Sequence, residues 1–510
     1  MAVRSKDEKK IIRPFGNVEC YEFHMLQLKF LGSTIVNSRY TIPSSLAASE
    51  SVVARVEDAI ARVVIEHPAL RLDVVDADTK RPAWVAVDEL DFTHHVTWED
   101  VDDTSGNYEE IFRDKIEKRL DEPYTNLAGR PQWRVLILFK KGDRPYLDII
   151  FDYSHAFSDG TSGKIFHETL LRTLNATPET EKQTPILTNR ILKIPSSAPP
   201  LPPPVEKIGK FPVTPKFAIS TAWRELRPAG LITSPSAAHA HWAPIRATPY
   251  ATRFRTFDIE AGTLRNILTA CRAHKTTVTG LLHALVVASM AARIKPATAF
   301  TGSTALDLRK FLETSADLEP KRTMADYVSQ MAHVFSADLV REIREAAVPV
   351  VSGDVTLPPP LADIIWRSAT RVRAEIQKRL DNGLKNDLVG LMRLVSDWRA
   401  QFRTEASKPR PYSFVITNLG VLDGSLDTIG AKEKREGEEK EEKDGGWTIE
   451  HAVFAISAEV CGAAFQVSPI SVKNGALCVS CSWQECVVEA ELGEAIVADL
   501  KRWLLFLGES

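Results

Sequence analysis

The sequence predicts a mixed α/β protein built as two lobes. Three observations carry that expectation. Apolar runs with helical spacing alternate with strand-like runs in both halves. A proline-rich stretch, 195–215, interrupts the pattern. At 510 residues, the length allows two to four domains or one large α/β unit.

The elements follow in chain order. Residues 1–17 read as a polar arm, and Tyr21 to Tyr40 as a mostly apolar stretch. Val52, Val53, Val56, Ile60, Val63 and Val64 recur at helical spacing, and His67-Pro68 ends the run. Leu70, Leu72 and Val74 alternate as a half-buried strand does, with Trp84 to Val87 as hairpin partner. Ile111 to Leu120 predicts a helix. Trp133–Phe139 and Tyr146–Tyr153 predict a β-hairpin around Gly142. A helical stripe, Ile165 to Leu174, follows it. Residues 195–215 hold eight prolines, which suits an extended crossing segment. The expected division is therefore 1–194, a linker 195–215, and 216–510. In the second part, Phe254–Ile259, Phe300–Leu306, Tyr412–Thr417, Trp447–Phe454, Ala463–Ser468 and Leu477–Val488 read as strands. Thr277–Arg293, Ala362–Leu380, Asn386–Phe402 and Leu492–Leu507 read as helices. Residues 431–446 are a low-complexity charged run, expected to be a solvated loop.

Composition excludes several classes. The 64 Lys+Arg and 67 Asp+Glu leave a formal charge of −3, which gives no electrostatic reason to bind nucleic acid. No run reaches the ~18–20 apolar residues of a membrane span, and the charged N-terminus lacks a signal-peptide core. Six cysteines make no disulfide framework. Cys478 and Cys481 share a C-x-x-C spacing inside a strand, where they face opposite ways, so no metal site is expected. The protein is expected to be cytoplasmic. There is no G-x-S-x-G elbow and no Walker or dinucleotide glycine pattern.

One constellation carries chemistry. His155 and Asp159-Gly160 sit between the strand ending at Tyr153 and the following helix. An imidazole with a pKa near ~6.5 can take a proton at neutral pH and return it. Asp159 could cap the helix or lock the turn against an arginine. Gly160 could supply a backbone conformation closed to other residues. The spacing alone also fits a satisfied core histidine beside an N-cap aspartate.

A series of segments in order resembles the fungal alcohol O-acetyltransferase family, within the chloramphenicol-acetyltransferase-like HxxxD class. They are Arg13-Pro14-Phe15-Gly16 with Glu19, His67-Pro68-Ala69-Leu70-Arg71, the His155 motif, and Leu201-Pro202-Pro203-Pro204. Thr276-Thr277-Val278-Thr279, Asp307-Leu308-Arg309 and Thr417-Asn418-Leu419-Gly420 complete the series. Two departures stand out: Ser154 replaces the first His common in relatives, and the plant D-F-G-W-G signature is absent.

The resemblance implies two chloramphenicol-acetyltransferase-like lobes, each a mixed sheet with flanking helices, and a tunnel at their interface. It implies a general base at His155, a structural Asp159 paired with Arg309, and direct acetyl transfer from acetyl-CoA to an alcohol. Acetyl-CoA is then co-substrate and no bound cofactor is needed. Oxyanion donors are expected among the Gly160 N–H, Thr417, Asn418 and Ser482. Acceptor-pocket candidates are His24, Phe157 and Trp483. The acceptor is expected to be a small, fairly apolar metabolite. Two lobes sharing one site make a monomer sufficient. The greasy C-terminus, Trp503 to Leu507, allows weak lipid contact, although docking on the second lobe fits it better. An amine acceptor, a longer acyl group, a carrier-protein donor, or a non-catalytic binding member remain the alternatives.

Overall fold

A computed structural model describes residues 11–44, 46, 51–101, 107–124, 129–142, 144–176, 186–226, 238–347, 356–425 and 446–509. The charged run expected to be a loop lies outside these residues, apart from Gly446.

Two main sheets organise the chain. Their strands are β1 (Thr34–Thr41), β2 (Val96–Val101), β3 (Trp133–Lys140), β4 (Tyr146–Tyr153), β5 (Thr252–Ile259), β6 (Phe300–Asp307), β7 (Val328–Phe335), β8 (Tyr412–Ile416), β9 (Gly420–Leu422), β10 (Thr448–Ile456), β11 (Ala463–Val472) and β12 (Leu477–Gln484). The first sheet runs β10-β1-β4-β3-β2, and the second β5-β12-β11-β8-β6-β7 with β9 beside β11. Both are mixed: β2–β3, β6–β8 and β8–β11 pair in parallel, the other main-path neighbours antiparallel.

The helices that matter are α1 (Asn17–Gln27), α2 (Ser51–Glu66), α3 (Tyr108–Asp121), α4 (Gly160–Ala176), α5 (Ala261–Ala273), α6 (Val278–Arg293), α7 (Pro359–Asp381) and α8 (Ala490–Glu509). The apolar stripes of α2 and α4 are buried in the first core, which reaches from Phe23 through Phe151 to Phe454. Helix α6 is apolar on all sides and almost wholly buried, as expected of a core helix. It packs with α7 and α8 in the second core.

Strand β10 departs from the expected division. Its sequence lies within 216–510, yet it pairs along its length with β1 of the first sheet. Alternation identifies a strand but not its neighbour. Hydroxyls of β12 meet β10 from the other sheet: Ser482 Oγ donates to the Ile456 carbonyl at 2.7 Å, and Ser480 Oγ to that of Phe454.

Smaller corrections have local causes. Part of the polar arm, Ile11–Pro14, pairs as an edge strand with Ala83–Ala86. The expected helix Asn386–Phe402 is two short helices, Val389–Met392 and Trp398–Glu405. Asp397 starts the second by accepting the Ala400 N–H at 3.0 Å, so an internal N-cap splits the run. The last strand ends at Gln484 rather than Val488. The proline-rich segment is irregular apart from one turn, Val205–Ile208, and its carbonyls are held by distant side chains. Arg71 takes that of Pro199, Arg13 that of Pro202 and Tyr327 that of Pro203. At the C-terminus, Trp503, Leu504 and Leu507 are buried in the second core, leaving Phe506 exposed. Among the described residues no helix is long and apolar enough to cross a membrane; α5 and α6 together reach the length only as a pair bent by 91°.

Candidate active site

Strand β4 is buried and central in its sheet, so the turn that leaves it starts from a fixed point. The Ser154 N–H holds the Gln132 carbonyl at 2.9 Å, and Ser154 Oγ accepts the Ala156 N–H at 3.3 Å. This serine shapes the turn presenting His155. Asp159 then caps α4: its Oδ1 accepts the Ser162 N–H and hydroxyl, both at 3.0 Å.

Arg309 and Asp159 meet in a buried, bidentate pair. Arg309 Nη1 lies 2.6 Å from Oδ2, and Nη2 3.0 Å from Oδ1. Both residues are only 3% exposed. Arg309 Nη2 also donates to the carbonyls of Ala325 at 2.9 Å and Thr323 at 3.2 Å. Asp159 Oδ2 accepts the Tyr327 N–H at 3.0 Å. Burial alone would raise the Asp159 pKa, but Arg309 and these donors outweigh it and hold the carboxyl below its usual 3.8. The turn of the first lobe is thus clasped by the segment 307–327 of the second half.

His155 sits where that clasp leads. Its Nδ1 is sealed from solvent and has no hydrogen-bond partner. The nearest acceptors are Asp326 Oδ2 at 3.7 Å and Glu22 Oε2 at 3.9 Å. The side chain is 13% exposed, so the exposure lies elsewhere on the ring. Burial pulls the imidazole pKa down, but the charges of Glu22 and Asp326 outweigh burial and hold it well above its usual 6.5. Burial likewise raises Glu22 and Asp326. A third carboxyl, Glu459, is pushed up to about 7 by burial and then by Glu22. Neither Glu22 nor Asp326 carries a sequence motif. The one available signal is an acidic residue inside an apolar run, at Glu22.

The other sequence candidates divide. Gly160 opens α4 without a positive φ, so its value is not a special backbone angle. A methyl at that position would lie 2.8 Å from Phe454 Cζ and 3.2 Å from Leu419 Cδ1. Close approach is what demands glycine there, and it brings the Thr417–Gly420 loop against the motif. Within that loop, Thr417 Oγ1 is 2.7 Å from Ser468 Oγ, and Asn418 Nδ2 donates to Thr279 Oγ1 at 3.0 Å. The Ser482 hydroxyl donates to Ile456 and is not an available oxyanion donor. Trp483 points the other way along β12. It stacks on Phe465 at 5.4 Å in the second core, which corrects its expected place in the acceptor pocket. His24 is buried, with Nδ1–H donating to the Cys20 carbonyl at 2.6 Å. Phe157 is buried beside Tyr153 in the first core.

Among the described residues, two groups gather three metal-type donors within 4.8 Å: Glu22, His155 and Asp326; and Asp258, His451 and Cys478. In the second, His451 Nε2 already holds Asp258 Oδ1 at 3.0 Å, and burial keeps the Cys478 thiol protonated. Two surface cavities, of about 390 and 450 Å³, lie beside Arg344 and Arg172, and neither is lined by His155.

Comparison with known proteins bears on this arrangement. A family model described as alcohol acetyltransferase matches residues 97–364. A probable alcohol acetyltransferase, FCK4 of Fusarium pseudograminearum, is 29% identical over 466 residues, covering 89% of this chain and 86% of that protein. The fold is similar to that of the TRI3 trichothecene 15-O-acetyltransferase of Fusarium sporotrichioides, with a TM-score of 0.63 at 13% identity over 97% of this chain and 94% of that one. It is also similar to the starter condensation domain of rhizomide synthetase, whose structure holds C8-CoA. There the TM-score is 0.58 at 11% identity, over 98% of this chain and 95% of that one.

Proposed function

This chain belongs to the alcohol acetyltransferase family and is an acyltransferase of the chloramphenicol-acetyltransferase-like fold, and from that premise we propose that it moves acetyl from acetyl-CoA to the hydroxyl of a small, fairly apolar metabolite. His155 is the general base in this reading. It takes the hydroxyl proton as the acceptor oxygen attacks the thioester carbonyl. The tetrahedral intermediate collapses, the C–S bond breaks, and the imidazolium returns the proton to the CoA thiolate. The ester and free CoA leave, with no acyl-enzyme formed. In this reading the oxyanion is stabilised by a donor from among Thr417, Asn418 and the Gly160 N–H. The two partners approach the ring from opposite faces of the lobe interface.

The observation that supports this most is the Asp159–Arg309 clasp, which fixes the His155 turn from the opposite lobe. A histidine needed only for packing would not require a buried ion pair between lobes beside it.

The test is His155→Ala, assayed with acetyl-CoA and a mixed alcohol pool for a mass gain of one acetyl and for CoA release. Turnover falls by about 10²–10⁴-fold, the usual contribution of a general base, while the far-UV spectrum stays unchanged. Turnover within a few-fold of the unmodified protein removes His155 as base.

A further inference from the structure

Two buried groups without partners face each other beside the proposed base. His155 Nδ1 has no hydrogen bond, and neither oxygen of Asp326 has one. They stand 3.7 Å apart, and the Asp326 side chain is fully sealed. A buried polar group left unpaired costs on the order of 1–3 kcal/mol. A ring movement of under about 1 Å brings the pair to hydrogen-bond distance and satisfies both. We propose that Asp326 is the positioning residue of the catalytic centre, accepting the His155 Nδ1–H and fixing the tautomer whose Nε2 is free to act as base. This rests on the reading of His155 as base.

The backbone around Asp326 is built for such a task. Its neighbour Ala325 donates its N–H to Ser162 Oγ at 3.0 Å, and its carbonyl accepts Arg309 Nη2 at 2.9 Å. On the other side, the Tyr327 N–H holds Asp159 Oδ2 at 3.0 Å. Asp326 is therefore gripped on both flanks by the groups that hold the His155 turn. Ring and carboxylate are fixed to the same frame.

Four carboxyls face the imidazole: Asp326 before β7, Glu22 on α1, Asp159 at the start of α4, and Glu459 after β10. Asp159 is neutralised by Arg309. Glu22 is slightly farther than Asp326 and is partly open, at 13% against 0% for the side chains. Asp326 is thus the acceptor that water competes for least.

The experiment uses the full chain with histidine labelled with nitrogen-15, the His155 signal being the one lost in His155→Gln. In the unmodified protein, His155 shows the Nδ1–H tautomer when neutral and a pKa above 6.5. In Asp326→Asn the pKa falls by about 1–3 units, as expected on losing an opposite charge within ~4–6 Å. With acetyl-CoA saturating, kcat falls by on the order of 10²-fold while the acetyl-CoA KM holds within about twofold. The acid limb of the kcat/KM profile moves to lower pH in step. Glu22→Gln moves the pKa less than Asp326→Asn. An unchanged His155 pKa, or an Nε2–H tautomer in the unmodified protein, overturns the assignment. The titration needs no turnover. A shift in Asp326→Asn together with no acetyl transfer by the unmodified protein leaves this pairing standing and sinks the proposed reaction instead.

Discussion

Replacing Arg309 by Met keeps the apolar stem and removes the guanidinium. What remains is the Asp159 carboxylate, 3% exposed, with only the Tyr327 N–H and the Ser162 N–H and hydroxyl as donors. Breaking one side of a buried pair typically costs about 3–5 kcal/mol, because the surviving charge stays desolvated. The carbonyls of Thr323 and Ala325 also lose a donor. An exposed pair would cost no more than ~1 kcal/mol. The sign of the pH dependence follows from Asp159. Its folded pKa lies below the usual 3.8 because Arg309 and the donors outweigh burial. The stabilisation is therefore present above the unfolded pKa and lost as pH falls through the folded one. Without Arg309, burial raises that pKa, and protonation relieves the variant earlier on acidification. Urea titrations followed by far-UV circular dichroism at pH 7 and pH 4 measure this. Arg309→Met loses about 3–5 kcal/mol at neutral pH, and its gap from the unmodified protein narrows in acid. The double variant Asp159→Asn/Arg309→Met loses less than the two singles together, by about 1–3 kcal/mol. A loss under ~1 kcal/mol, or a gap that does not narrow with acid, refutes the reasoning.

Two smaller perturbations probe contacts of β10. Gly160→Ala puts a methyl 2.8 Å from Phe454 Cζ and costs about 1–3 kcal/mol by overpacking; Phe454→Leu in the same chain recovers part of it, and thermal melts showing no loss in the single variant would contradict the packing argument. Ser482→Ala removes the 2.7 Å bond to Ile456 and costs about 1 kcal/mol with kcat unchanged; a fall in kcat without a fall in stability would return Ser482 to the oxyanion site.

Local pattern carried most of the elements. The helical stripes of α2, α4 and α6 and the β3–β4 hairpin need only spacing and turn residues, and they lie within a few residues of where spacing puts them. Strand β7 escaped because Val328 to Phe335 mixes exposed and buried positions without a clean apolar alternation. Strand β10 was legible as a strand and not as a member of the first sheet. Its contact with β1 spans 407 residues of sequence at Thr41–Thr448, and nothing local encodes such a distance. At the site, His155, Asp159, Gly160 and Arg309 stood out because motif order singled them out. Glu22 and Asp326 did not, because a carboxylate becomes chemically unusual only when tertiary packing buries it.

That packing also blurs the line between a structural and a chemical role for Asp159. It never approaches the His155 ring as a hydrogen-bond partner; its bonds go to Arg309, Ser162 and Tyr327. Those same groups bracket Asp326, since Arg309 and Ser162 hold Ala325 on one side and Asp159 holds Tyr327 on the other. A shift of the clasp therefore moves the carboxylate beside Nδ1 and the turn carrying the imidazole together. Leu419 presses on the first residue of α4 from the 417–420 loop, and Phe454 does so from β10, the strand that the second half of the chain lends to the first sheet. Elements from α1, the His155 turn, the 307–327 segment and the 417–420 loop must dock before the ring has its surroundings. With β10 exchanged into the first sheet, that docking is part of folding itself. The second lobe is thus not an added substrate-binding module but a condition for the geometry of the first.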